Sequence, residues 1–352
     1  TGGERVGNNL FHSFEEFSIP EGIEAIFENG LDIENIFTRI TGSDISVVEA
    51  KTIELIGGMS EPNNLSSISA VSFGATGNAG NIAVNTHTLK IIDGGAVSTT
   101  SIGNGAAGNI KIDASDIIEV SGQNDNFPSA ISSGVITEGD PAFRSQRGIP
   151  EIPGGNSGNV SINTSLLQVN KGGEISVENG GTGNAGTLSI NTDNLNLGTS
   201  GRIAAGTASG TGGNIELNTQ NLNIANDSLI TATVGGDGDG GNITINTTNL
   251  TAKKNNQITA SANSGDGGNI ILNADSVSLN EQDEISAASS SGDGGNVNIN
   301  TDILTALEQS KITANAVTGD GGNITINSRG YFVSEDSVVS ASSEFGQTGT
   351  IN

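Results

Sequence analysis

Between Gly240 and Asn327 apolar and polar residues alternate in three short runs per unit, as in Ile243-Thr244-Ile245, Leu250-Thr251-Ala252 and Ile258-Thr259-Ala260. Asn, Ser, Gly and Asp separate the runs. A period of two predicts strands with one buried face. The Asn of a Gly-Gly-Asn word recurs at Asn242, Asn269, Asn296 and Asn323, in steps of 27 residues. Strands this short bury too little to stand alone, so the units must stack and share one core. The pattern therefore predicts an all-β fold. Its expected form is a right-handed parallel β-helix (β-solenoid) with three strands per coil and about 27 residues per coil.

The same register extends to Asn81, Asn109, Asn159, Thr187 and Asn214 on one side and to Thr350 on the other. Only the step from Asn109 to Asn159 is anomalous, at 50 residues, and it holds Pro128, Pro141, Pro150 and Pro153, four of the six prolines. Proline has no N–H for a central ladder, so an excursion loop is expected at 122–157. Phe127, Phe143, Arg144 and Arg147 gather there. Loops carried on rigid scaffolds are where recognition concentrates, which makes these four residues a candidate recognition loop. Some eleven coils at about 4.8 Å each make a rod on the order of 50 Å long. Thr350-Ile351-Asn352 opens a further repeat, so the parent chain is expected to continue or the open coil to pair with another copy.

Composition narrows the function more than the fold. The 352 residues carry 13 basic and 39 acidic side chains, a net charge of −26. No basic cluster exceeds Lys253-Lys254, which argues against nucleic acid or an anionic membrane as partner. There is no cysteine, hence no disulfide and no thiolate chemistry, and no apolar run of the roughly 20 residues that a membrane-spanning helix needs. No leader sequence is visible, and Thr1 suggests a processed or trimmed form.

Two columns of asparagine flank the first run of each unit. One holds Asn242, Asn269, Asn296 and Asn323; the other lies four residues on, at Asn246, Asn273, Asn300 and Asn327, with Asn163, Asn191 and Asn218 before them. Stacked amides can donate and accept along a column, so a structural ladder is expected. Asp239, Asp266, Asp293 and Asp320 form a third column, which either sits at hydrated turns or collects calcium. No catalytic constellation is apparent. His12 and His87 lack motif-defined partners, and Glu216, Glu281, Asp283 and Glu284 read as scattered surface carboxylates. The expectation is a protein that is not an enzyme and needs no cofactor.

The first 50 residues differ from the rest. Five of the ten phenylalanines lie here, at Phe11, Phe14, Phe17, Phe27 and Phe37. A solenoid's open end needs a lid over its core and strand edges, so residues 1–50 are expected to cap the coils of 51–352. The words Asn9-Leu-Phe-His-Ser-Phe-Glu-Glu-Phe17, Ile19-Pro20-Glu-Gly22, Ala25-Ile-Phe27-Glu-Asn29 and Ile33-Glu-Asn35-Ile-Phe-Thr-Arg39-Ile-Thr-Gly42 occur in that order. They resemble the secretion domain of filamentous haemagglutinin-type exoproteins of the two-partner secretion pathway. The family's following Asn-Pro-Asn-Gly-Ile word is absent, so the segment resembles a truncated form of that domain. The resemblance implies an outer-membrane transporter as secretion partner, a secreted or cell-surface location, and adhesion to cell-surface or matrix carbohydrate or protein. A self-associating filament or scaffold is the competing expectation, and a polysaccharide-active β-helix enzyme a third.

Overall fold

The computed structural model describes residues 46–57, 66–124, 127–137 and 140–352. Before residue 46 it describes the backbone of strands Glu4–Val6, Asn9–Phe14, Ser18–Ile19 and Asn35–Ile40. The chain winds into a parallel β-solenoid. A long sheet of parallel strands runs from Ser18–Ile19 through Ser46–Ile56 and Ile82–Ile92 to Ile324–Val333. A second parallel sheet runs from Ser67–Ser72 to Val338–Ser340. A third column is reduced to single bridges, from Val135 through Asn179, Thr207, Val234, Ala262, Ser289 and Ala316 to Ser343.

The three runs of each unit map onto these sheets with one difference. The first two fuse into one long strand that turns a corner. In Ile270–Asn280 the buried residues are Ile270 and Leu272, then Val277 and Leu279. The odd step from Leu272 to Val277 breaks the two-residue period, because a flat strand would have sent Val277 outward. One coil splits there outright, into Ile243–Asn246 and Asn249–Lys253. The third run is the short strand, Gln257–Thr259 in that coil.

One coil's inward side chains, Ile270, Leu272, Val277, Leu279, Ile285 and Ala287, are at most 1% exposed, and their equivalents stack on them in a single core. The corner between the sheets is a paired left-handed turn, with positive φ at Asn226 and Asp227, Lys254 and Asn255, Glu281 and Gln282, and Glu308 and Gln309. The Gly-Gly-Asn landmark has a steric cause. A Cβ built on Gly268 would collide with the Gly241 carbonyl oxygen, and one on Gly295 with that of Gly268. Backbones approach too closely there for any side chain.

The 50-residue step is not one excursion, and the stretch 122–157 is not all loop. Ala130–Val135, inside it, is a ladder strand between Ala96–Ser101 and Glu174–Ser176. The surplus is spread over three places. Ser121 pairs with Asn170 and Ala130 with Glu174, so nine residue steps cover what four cover in the next coil. Four steps from Asp113 to Ile117 face three from Asn163 to Leu166, a bulge at the strand's corner. The rest is 137–152: Gly180 N–H donates to the Val135 carbonyl and Thr182 N–H to that of Pro153, so Ile136 and Pro153 sit opposite the neighbours Gly180 and Gly181. Strand alternation hid Ala130–Val135 because proline-rich segments surround it.

At the N-terminal end, Asn9–Phe14 pairs antiparallel with Glu4–Val6 and parallel with Asn35–Ile40. Ser18–Ile19 adds an end strand to the long sheet beside Ser46–Ile56. Phe17 and Phe27, two of the rings expected in the cap, lie outside the described residues. At the other end Ile351 bridges to Ile324.

Candidate functional site

Both asparagine columns are hydrogen-bonded ladders. Asn269 Nδ2 donates to Asn242 Oδ1 at 3.0 Å, Asn296 to Asn269 at 2.8 Å and Asn323 to Asn296 at 3.1 Å. In the second column Asn246 donates to Asn218, Asn273 to Asn246, Asn300 to Asn273 and Asn327 to Asn300, all within 2.8–2.9 Å. These amides are consumed by stacking. The aspartates do similar work: the Oδ1 of Asp239, Asp266 and Asp293 accepts from the backbone N–H of the aspartate one coil on, at 2.8–3.0 Å, and that of Asp320 from Gln347 N–H. Asn156 and Asn184 fill that place in earlier coils, where their Oδ1 atoms accept from Asn184 N–H and Thr211 N–H. The Asp column is thus a carboxylate version of an amide cap. Among the described residues, no group of three or more His, Asp or Glu side chains is placed to hold a metal ion.

The candidate recognition residues divide. The excursion carries a short helix, Pro141–Gln146, capped by Asp140 Oδ1, which accepts from Ala142 N–H at 2.9 Å. Arg144 points into the wall and not outward. It is 5% exposed, and its guanidinium donates to the carbonyls of Ile102 at 2.9 Å and Pro150 at 2.6 Å. A charge shielded in this way holds the helix to the wall and is turned away from any partner. Phe143 meets Phe73 edge to face at a centroid distance of 6.5 Å, and Arg147 lies over its ring at 4.7 Å. Arg147 is exposed, as is Phe127.

The docking has a sequence cause. Ser72, Ser101 and Val135 share a ladder position, so Phe73, Ile102 and Ile136 follow in one column. That column reads Gly180, Ala208, Gly235, Asn263, Ser290, Val317 and Glu344 in later coils. Among the described residues, three consecutive large apolar members of this column, Phe73, Ile102 and Ile136, lie where the helix docks.

Sequence reasoning missed a second feature, a groove of about 530 Å³ at the corner of the first coils. Glu49, Asn85, His87, Asp113, Ser115 and Asn163 line it. Its signal was the extra residue between Asp113 and Ile117, masked by the larger surplus of the same coil. Burial alone would raise the Asp113 carboxyl, but hydrogen bonds from Lys111 and Asn163 outweigh it and hold the group below its usual value of 3.8. On the short sheet Arg202 pairs with Glu174 at 3.1 Å and with Glu178. Burial opposes the charge of Arg202, and the two carboxylates overcome it and keep its pKa raised.

Residues 1–49 match the family model of the TPS secretion domain. The N-terminal segment is similar to a TPS secretion domain over those residues. Together with the solenoid that follows, the match supports a filamentous haemagglutinin-like exoprotein of the two-partner secretion pathway. That is a secretion and exoprotein family, not an enzyme family. Among solved structures the chain is similar to the HMW1 secretion domain from Haemophilus influenzae, at 15% identity over 100% of this chain and 97% of that one, with a TM-score of 0.34. At that score the likeness carries no argument. No curated protein matches the chain.

Proposed function

We propose that this protein is an exported, non-catalytic surface rod. An outer-membrane transporter recognises its N-terminal domain, and its side wall attaches the cell to carbohydrate or protein outside. The observation that carries the reading is the excursion 137–152. It departs from the ladder and presents Phe143 and Arg147 on a stiff support, with exposed Phe127 in the same coil. Because Ile136 and Pro153 are ladder-equivalent to adjacent residues, joining them deletes the excursion without cutting a strand. The spliced protein is expected to keep its melting temperature within a few degrees and to lose attachment to immobilised cells or matrix. Undiminished attachment would reject the excursion as the contact.

A second reading is self-association into a filament. Phe332 (59%) and Phe345 (73%) are exposed on the wall, Phe332 at the outward position that Thr305 holds one coil earlier, and exposed rings can pack against a second copy. A rise in mass with concentration by light scattering, abolished by Phe332→Ser with Phe345→Ser, favours it.

A further inference from the structure

The corner groove interrupts the second asparagine ladder. From Asn327 back to Asn163 every Nδ2 donates to the Oδ1 one coil earlier. Asn163 Nδ2 donates to Asp113 Oδ1 at 2.6 Å, and Asn85 Nδ2 to Glu49 Oε1 at 3.2 Å. Between Asp113 and Asn85, which are ladder partners, no hydrogen bond passes. The polarity of the column explains this. Asn85 Nδ2 donates to Glu49, and Asp113, whose Oδ1 accepts from Asn163, has no proton to offer the remaining Asn85 Oδ1. At this step of the column an amide oxygen and a carboxylate are ladder neighbours on the groove wall with no donor between them.

What fits between them must donate. A cation is the poorer candidate, since Lys111 Nζ already stands 2.7 Å from Asp113 Oδ2 and supplies positive charge. An anion meets Asp113 and Glu49. An apolar ligand meets a polar lining of carboxylate, amide, imidazole and hydroxyl groups. A ligand with adjacent hydroxyls matches: each O–H donates to Asp113 or Asn85 and can accept from the exposed His87. The groove volume of about 530 Å³ falls in the range of small-ligand sites.

We propose that this groove is a binding site for a neutral saccharide, with Asp113 and the Oδ1 of Asn85 as hydroxyl acceptors and the bulge between Asp113 and Ile117 opening the corner to admit it. The adhesive reading supplies only a source for such a glycan; the site itself rests on the ladder break.

The test uses the full chain on an array of neutral hexose oligosaccharides, with calcium chloride titrated in parallel. Wild type is expected to bind at least one array member. Asp113→Asn restores a donor toward Asn85, so it should weaken binding at least about tenfold while melting unchanged or higher. His87→Ala, an exposed change that leaves the fold alone, should weaken binding as well. The protein lacking 137–152 should bind the array like wild type. No retention by wild type, or equal retention by Asp113→Asn and His87→Ala, overturns the site; calcium binding lost in Asp113→Asn overturns it in favour of a cation. If the array is negative while removal of 137–152 still abolishes attachment, the groove falls and the adhesive reading stands.

Discussion

Arg144 donates to the backbone carbonyl of Ile102 at 2.9 Å, closing 42 residues of chain and fixing the excursion helix to the solenoid wall. The bond is charge-assisted and buried, the class whose removal costs most because it leaves an unpaired acceptor. Arg144→Ala is expected to lose about 1–3 kcal/mol. The loss should be local: amide exchange should rise across 137–152 and stay unchanged in Ile270–Asn280. Equal loosening of both segments would show that Arg144 supports the whole rod instead.

Asn273 sits mid-ladder, donating to Asn246 at 2.8 Å and accepting from Asn300 at 2.9 Å. Asn273→Ala removes both bonds and should cost about 1–3 kcal/mol, from roughly 0.5–1.5 per bond. Asn273→Asp keeps the bond from Asn300 but puts an acceptor opposite Asn246, reproducing the break at Asp113. It should recover stability on acidification as the new carboxyl takes up a proton able to donate. Denaturant midpoints at neutral and acidic pH distinguish the two variants, and identical pH behaviour would discard the donor argument.

Asp283 gives a pH signature of known sign. It is 1% exposed, and its carboxylate accepts from the backbone N–H of Asn256 and Asn280 and from Asn256 Nδ2 at 2.8–2.9 Å. Burial raises its pKa above 3.8 despite these bonds. The folded state therefore binds the proton more tightly than the unfolded chain. The stabilisation is full below 3.8 and is lost as pH rises through the folded value. Stability measured relative to Asp283→Asn, which does not titrate, should fall across that window as pH increases. A difference that is flat, or that rises with pH, refutes the assignment.

Much of this architecture is legible in the repeat, because period two and a 27-residue spacing are direct consequences of stacked strands. Ile270 and Leu272 read correctly as core, and the Gly-Gly-Asn words mark where backbones nearly touch. The fusion of two runs into one cornered strand was less visible, since the odd step from Leu272 to Val277 looks like a turn between separate strands. Asp283 and Arg144 were misjudged for one shared reason. A charged side chain reads as surface, and only tertiary contacts reveal that backbone donors or acceptors have replaced its water. The corner groove depended on one extra residue in a coil whose surplus appeared to belong to a loop.

The collision at Gly268 separates two kinds of glycine in a chain that has 52 of them. A Cβ there would strike the Gly241 carbonyl oxygen, which belongs to a neighbouring coil's backbone and cannot rotate aside. Gly268→Ala must push two coils apart, and overpacking of this sort costs about 1–3 kcal/mol. At Gly235 the nearest atom to a built Cβ is the Ala208 carbonyl oxygen at 3.7 Å, an ordinary contact, and φ is not in the left-handed region. Gly235→Ala should therefore be neutral or stabilising by about 0.4–1 kcal/mol, through the reduced freedom of the unfolded chain. Thermal and denaturant melts of the two variants check the contrast. Equal effects at both positions would mean that the coils are spaced more loosely at Gly-Gly-Asn than the stacking requires.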